Sequence, residues 1–212
     1  MKVCEIFTSI QGESTYAGLP CTFIRLSGCN LRCAYCDTKY SYDECVETEI
    51  EDIVCRVDSA GVRLVEITGG EPLLQGEATL SLISELLDRG YELLVETNGS
   101  MNIRGLDRRV TIILDMKTPG SNMSDKMDLT NLKMIKNTDE VKFVICNRDD
   151  YEWSKEIISR YGLEERCEVL LSPAFGLVQP RELAAWIIED KLNVRLNVQI
   201  QKYIFGPGER RV

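Results

Sequence analysis

Leu64-Val65-Glu66-Ile67-Thr68-Gly69-Gly70-Glu71-Pro72 is an apolar run that stops at two glycines and a proline, and its surroundings decide the fold class. Residues 64–68 predict a strand and Gly69-Gly70 a turn. Leu80, Ile83, Leu86 and Leu87 then supply the i, i+3, i+4 stripe of an amphipathic helix, closed by Arg89-Gly90. Residues 92–97 are β-rich again, which completes one βαβ unit. Working outward, further strands are predicted at 2–7, 21–26, 111–116, 140–146 and 168–171, with a last one near 197–200. Thr48 and Glu51 read as a capping box that opens a helix through about Ser59. Helices are also predicted over 129–135, 151–161 and 180–189, the last with Pro180 in its first turn. Strands alternating with helices imply an α/β fold with a parallel sheet, and right-handed crossovers curl it toward an open, partial barrel. No linker, charge block or repeat divides residues 1–212, so a single domain is expected. Its binding residues belong in loops at the carboxyl ends of the strands.

Composition narrows the chemistry. The chain has 212 residues, is 44% hydrophobic, and carries a net charge of −9. That apolar share excludes disorder, and the acidic balance gives no basic surface for nucleic acid. There are nine cysteines and no histidine. Ser-His-Asp triads, Cys-His dyads and histidine-ligated zinc or iron are therefore excluded. Met1-Lys2-Val3-Cys4-Glu5 meets charge before any apolar stretch, and no run is long enough for a membrane span. A cytoplasmic protein is expected, without membrane partners, its thiols reduced or metal-bound.

Cys29-Asn30-Leu31-Arg32-Cys33-Ala34-Tyr35-Cys36 spaces three thiols as C-x3-C-x2-C directly after the strand that ends at Leu26. One short loop can thereby wrap an iron–sulfur cluster, and three ligands on a four-iron cubane leave one iron open to a small molecule. Alternatives are a structural zinc site with Cys21 or Cys45 as fourth ligand, a ferredoxin-like cluster, or ordinary buried cysteines. The triplet, with the aromatic Tyr35 before its last cysteine, resembles the cluster motif of the radical S-adenosylmethionine (SAM) superfamily. Thr68-Gly69-Gly70-Glu71-Pro72 resembles that superfamily's glycine-rich loop for the SAM amino group, where glycine lets the backbone approach a ligand. The resemblance implies a radical SAM barrel. It also implies that SAM chelates the open iron and that the reduced cluster cleaves it to a 5′-deoxyadenosyl radical.

Further segments narrow the likeness. Ile6-Phe7-Thr8-Ser9-Ile10-Gln11-Gly12-Glu13, Phe23-Ile24-Arg25-Leu26-Ser27-Gly28-Cys29-Asn30, Cys36-Asp37-Thr38, Glu96-Thr97-Asn98-Gly99 and Asp115-Met116-Lys117 are similar to the 7-carboxy-7-deazaguanine synthases of queuosine and deazapurine biosynthesis. That family implies a lyase converting 6-carboxy-5,6,7,8-tetrahydropterin to 7-carboxy-7-deazaguanine and ammonia, with SAM, a [4Fe–4S] cluster and Mg²⁺. By resemblance, Cys29, Cys33 and Cys36 hold the cluster in a loop over about 28–40, and Thr38 gives Mg²⁺ an oxygen. Tyr35, Cys36, Asp37, Gly70, Glu71, Glu96, Asp115, Met116, Lys117, Ser172, Pro173, Ala174 and Phe175 surround SAM. Ile10, Gln11, Gly12, Glu13, Arg25, Thr68, Gln201 and Val212 face the substrate. Arg25 forks onto its carboxylate, Gln11 offers donor and acceptor to the pterin edge, and Glu13 accepts from ring N–H groups. A homodimer and an electron donor such as flavodoxin or ferredoxin are also implied.

One departure stands out. The family's C-terminal histidine is absent, and Gln201 stands in its place, able to hydrogen-bond but not to take up a proton. Lys142, between Val141 and Phe143, faces either the barrel interior or solvent. The thiols at 4, 21, 45, 55, 146 and 167 are expected to be packed bystanders. Rival readings are a radical SAM activase that makes a glycyl radical on a protein, and a non-catalytic iron–sulfur or zinc module. Gln11-Gly12-Glu13 with Arg25 favours a small anionic substrate.

Overall fold

Segments that alternate between period 2 and period 3.6 condense into nine strands and six α-helices in the structure, a computed structural model that describes residues 1–211. The strands are β1 (Lys2–Ile10), β2 (Pro20–Leu26), β3 (Val46–Glu47), β4 (Leu64–Gly69), β5 (Glu92–Thr97), β6 (Thr111–Met116), β7 (Glu140–Ile145), β8 (Glu168–Pro173) and β9 (Arg195–Leu196). The helices are α1 (Ile50–Ala60), α2 (Glu77–Asp88), α3 (Asn131–Met134), α4 (Arg148–Tyr161), α5 (Pro180–Asp190) and α6 (Ile200–Ile204). One sheet takes the order β3-β1-β2-β4-β5-β6-β7-β8-β9. It is parallel from β2 through β9, with β1 antiparallel to both β2 and β3. The expected open α/β sheet is thus observed. Both edge strands are only two residues long, which limits edge-to-edge pairing.

Strict alternation gives the sheet two unlike faces. Ile24, Ile67, Val95, Leu114, Phe143 and Leu171 pack against Ile53 and Val57 of α1, Leu82 and Leu86 of α2, Ile157 of α4 and Leu183 of α5. The other face has a small apolar base of Cys21, Phe23, Leu64, Leu94 and Ile113. Farther along the same strands it carries Arg25, Thr68, Glu96, Asp115 and Lys142 into a cavity. The loop between β1 and β2 crosses this face: the Thr15 amide donates to Glu140 at the start of β7 (3.1 Å), and the Tyr16 hydroxyl pairs with Thr111 of β6 (3.5 Å). The C-terminal segment rests on that loop through Ile200 N–H to the Gly12 carbonyl, 3.0 Å.

Several expected boundaries need correction. β1 runs on to Ile10, beyond residue 7, because its pairing with β2 continues to Pro20. The strand near 197–200 is instead β9 at Arg195–Leu196, and Ile200 opens α6. Asn197 N–H still reaches the Leu171 carbonyl at 2.9 Å, but the next ladder donor would be Pro173, which has no N–H. The Thr48–Glu51 capping box does not form. Glu49 is the N-cap residue of α1, and the Thr48 hydroxyl donates to the Val46 carbonyl at 3.2 Å. The helix expected over 129–135 is a single turn, α3, because Asn131 turns its side chain to the Ile103 amide and to the Gly99 and Met101 carbonyls. α4 begins at Arg148, three residues before Tyr151, where Asn147 caps it. Among the described residues no helix is long and apolar enough to cross a membrane.

Candidate active site

A cavity of about 640 Å³ opens at the carboxyl ends of the parallel strands. The loop after β2 forms its rim, tied down by Gly28 N–H to the Ser41 carbonyl (2.8 Å), Glu71 N–H to the Gly28 carbonyl (2.8 Å) and Ala34 N–H to the Ser121 carbonyl (3.0 Å). Cys29, Cys33 and Cys36 all line the cavity and are free thiols. Burial pushes the Cys29 and Cys33 thiols up, so thiolates there need a compensating cation or metal. Two donors already point at Cys29 Sγ: the Leu31 amide at 3.4 Å and Asn98 Nδ2 at 3.7 Å. None of the other six cysteines lines this space. Cys21 is buried in the apolar base and Cys45 is exposed, so neither supplies the fourth ligand that a closed zinc or ferredoxin-like site requires. Among the described residues no three Cys, Asp or Glu side chains gather tightly enough to hold one metal ion. Thiols spread around a cavity suit a polynuclear cluster, whose irons each take a separate thiolate.

Next to the cysteines lie the groups expected around SAM. Tyr35, Asp37, Gly70, Glu96, Asp115, Lys117, Ser172, Pro173, Ala174 and Phe175 line the cavity. Tyr35 Oη and Asp115 Oδ1 are buried without a protein partner among the described residues, which marks room for a polar ligand. Lys117 Nζ holds Asp115 Oδ2 at 2.8 Å, and this pairing keeps the buried lysine charged. Two side chains expected here point elsewhere. Glu71 is fully buried and accepts from the Leu73 amide (3.0 Å), the Thr97 hydroxyl (2.8 Å) and the Asn98 amide (2.7 Å), bracing the turn rather than facing the cavity. Met116 lies in the helix-side core, because alternation along β6 turns it away from Asp115. Gly70 is needed for packing: a Cβ there would stand 2.0 Å from the Gly28 carbonyl oxygen. The close approach is thus made by the cluster loop.

The substrate-facing set occupies the floor. Arg25 Nε donates to Glu5 Oε1 at 2.9 Å, and its terminal nitrogens have no protein hydrogen-bond partner among the described residues. Burial opposes ionisation of Glu5, but hydrogen bonds from Arg25 and Tyr40 win and hold its carboxyl below the ordinary range. Glu13 Oε2 meets Lys142 Nζ at 3.0 Å, while its Oε1 accepts from Gln199 (2.8 Å) and Gln201 (3.3 Å). Lys142 also touches Glu96 and lies 3.6 Å from Asp115, so one cation serves three carboxylates. Gln11 is less available than expected, since its Oε1 accepts from the Glu13 amide (2.8 Å) and its Nε2 donates to Glu66. Thr68 lines the cavity and donates to Glu96 at 3.1 Å. Ile10 and Gly12 line it too, and a Cβ at Gly12 would stand 1.8 Å from Gln201 Oε1. Thr38 donates to Asp37 at 2.9 Å, and Asp37 accepts from Lys202 at 2.7 Å. Val212 lies outside the described residues.

Glu5, Tyr40, Glu66, Asn98, Lys142, Gln199 and Lys202 belong to this site but were not singled out as site residues from the sequence. A signal existed for two of them. Glu66 and Lys142 are lone charges in apolar strands, at the same parity as Thr68 and Val144.

Comparison with known proteins agrees with this geometry. Residues 23–162 match the Radical SAM superfamily. The 7-carboxy-7-deazaguanine synthase of Koribacter versatilis is 40% identical over 100% of both chains. That of Chlorobaculum tepidum is 40% identical over 100% of this chain and 97% of its own. The crystal structure of QueE from Escherichia coli superposes with a TM-score of 0.78, at 25% identity over 93% of each chain. Streptococcus suis SuiB shares the fold at a TM-score of 0.56 and 12% identity, over 81% of this chain and 47% of that one. Three cavity-lining thiols, an open parallel sheet and full-length likeness converge on one assignment: the chain belongs to the 7-carboxy-7-deazaguanine synthase family of the radical SAM superfamily.

Proposed function

We propose that this protein is a radical lyase that converts 6-carboxy-5,6,7,8-tetrahydropterin to 7-carboxy-7-deazaguanine and ammonia, a step of queuosine and deazapurine biosynthesis. The observation that carries the reading is one cavity with three thiols on its rim and, on its floor, an arginine braced by a buried carboxylate. Its volume, about 640 Å³, lies in the range of small-molecule sites. A glycyl-radical activase would instead have to admit a protein segment.

Cys29, Cys33 and Cys36 would hold a [4Fe–4S] cluster, with SAM among Gly70, Glu96, Asp115, Lys117 and Ser172 to Phe175. Bound together, cluster and SAM supply the one-electron chemistry that starts the reaction. The protein's residues bind, orient and exclude water. Arg25, aimed by Glu5 through Nε, presents its free terminal nitrogens as a fork for the substrate carboxylate. Glu13, kept ionised by Lys142 against the cost of burial, accepts from ring N–H groups. Gln201 holds Glu13 and so positions the ring without exchanging protons. Thr38, beside Asp37, offers Mg²⁺ a hard oxygen. The same reading takes residues 1–212 as one catalytic domain with its cluster loop at about 28–40. It includes a cytoplasmic homodimer and a donor such as flavodoxin or ferredoxin, and nine free thiols suit a reducing compartment.

The test is direct. Reduced, cluster-loaded protein is incubated with SAM, Mg²⁺ and 6-carboxytetrahydropterin, and 7-carboxy-7-deazaguanine is sought by mass. Product is expected. No product, together with glycyl-radical formation on a partner protein, would overturn the reading.

A further inference from the structure

Glu66 is the one carboxyl on the cavity floor that forms no ion pair among the described residues. Glu13, Glu96 and Asp115 share Lys142, and Glu5 pairs with Arg25. Glu66 is 3% exposed, on β4 two residues before Thr68. Its Oε2 accepts from Gln11 Nε2. Its Oε1 has no protein partner among the described residues and opens on the cavity that Glu66 lines.

We propose that Glu66 is a specificity residue for the substrate ring: its Oε1 donates a hydrogen bond to a ring carbonyl, beside the ring N–H groups read by Glu13. This rests on the pterin reading above.

The groups around Glu66 are Glu13 from the β1–β2 loop, Cys21 and Arg25 on β2, Glu96 on β5 and Lys142 on β7. Lys142 is already shared by three carboxylates, so a fourth buried negative charge here would stand uncompensated. Burial, and then Glu96, push the Glu66 carboxyl well above the ordinary range, which favours its protonated form. Gln11 donates to Oε2, so that oxygen is an acceptor and the proton sits on Oε1, facing the cavity. Glu13 is ionised and only accepts. A donor beside an acceptor complements the C(=O)–N–H edge of a lactam. A pterin presents that edge, and a 2,4-diaminopteridine does not.

The experiment measures binding of 6-carboxytetrahydropterin and of its 4-amino counterpart to the cluster-loaded holoenzyme with SAM. Wild type is compared with Glu66→Gln, which keeps a neutral donor, and Glu66→Leu, which keeps bulk alone. The wild type should bind the 4-amino compound at least about tenfold more weakly than the pterin, the weight of one buried hydrogen bond. Glu66→Gln should bind the pterin within about threefold of wild type. Glu66→Leu should lose about tenfold in pterin Kd, narrow the gap between the two compounds, and leave the SAM Kd within about twofold. Equal wild-type affinity for both compounds overturns the inference, and so does a Gln variant as weak as Leu. Parallel loss of SAM binding in the Leu variant overturns it too, since that marks a structural role. Wild-type protein that binds no pterin overturns the functional reading and this inference with it, whereas pterin binding that is unchanged in Glu66→Leu overturns this inference alone.

Discussion

At the scale of single residues, the floor works by pairing each charge with a chosen neighbour. Arg25 is informative because its partner lies on another strand: β1 runs antiparallel to β2, and the register sets Glu5 opposite Arg25. Glu5→Gln should leave the guanidinium charged but poorly aimed. KM for the pterin is expected to rise by about tenfold, one lost charge-assisted contact, with KM for SAM unchanged. Arg25→Lys should be no better than Arg25→Ala, because a point charge cannot span a carboxylate. Equal KM values for wild type and Glu5→Gln would remove Glu5 from its positioning role. Glu66 bears on stability through its proton. In the unfolded chain it ionises near 4.5, while the folded carboxyl keeps its proton well above that value. Folding therefore takes up a proton above pH 4.5, and the stability Glu66 confers is lost as pH rises toward the folded value. Glu66→Gln has no such proton. Its unfolding free energy relative to wild type should increase as pH rises above about 5, as read by urea titration. A constant difference across that range would mean Glu66 is ionised in the folded state. Arg25 was legible in the sequence because it interrupts an apolar run, and Glu13 only through the family resemblance of residues 6–13. Glu5 was not, since only the β1–β2 register brings it to Arg25.

At the scale of elements, termini separate what pattern can and cannot reveal. Strands β5 and β6 match the expected 92–97 and 111–116, because both are apolar runs bounded by polar turns. Where a side chain has two competing partners, the pattern misleads. Thr48 fits a capping box, yet its hydroxyl serves the Val46 carbonyl, whereas Asn147 caps α4 by accepting from the Asp150 amide at 2.9 Å. The two substitutions should differ accordingly. Asn147→Ala is expected to cost about 1 kcal/mol in urea unfolding, the usual weight of a lost N-cap. Thr48→Ala should cost less than Asn147→Ala, because the buried Thr48 hydroxyl donates to the Val46 carbonyl and caps no helix amide. Reversed magnitudes would show that the capping box forms after all. β9 makes the same point for strands: apolar content continues past Leu196, but the missing N–H of Pro173 ends the ladder, a property of the neighbour rather than of the segment.

For the molecule as a whole, Lys142 is the joint. It sits on β7 and binds Glu13 from the loop after β1, Glu96 on β5 and Asp115 on β6, while Glu13 is also gripped by Gln199 and Gln201 from the C-terminal segment. Chain beginning, sheet centre and chain end therefore meet at one ammonium group with 6% side-chain exposure. No local pattern announces this, because the partners come together only when the sheet is complete. Lys142→Met keeps most of the bulk of the side chain and removes its charge, stranding Glu13 and Glu96 while Asp115 keeps Lys117. Breaking a buried ion pair from one side typically costs about 3–5 kcal/mol, a large part of the roughly 5–15 kcal/mol that holds a domain folded. In the variant Glu13 loses its cation and keeps only the amide donors of Gln199 and Gln201, so its folded value should rise above the unfolded one. Stability would then be present below the ordinary carboxylate range and lost as pH increases. The gap between wild type and Lys142→Met should accordingly be large at pH 8 and shrink at pH 5, as read by urea titration. Pterin and SAM should both bind more weakly at pH 8, because Glu13 faces one ligand and Glu96 with Asp115 the other. A gap that widens on acidification, or loss of one ligand alone, would show that Lys142 does not couple the two halves of the site.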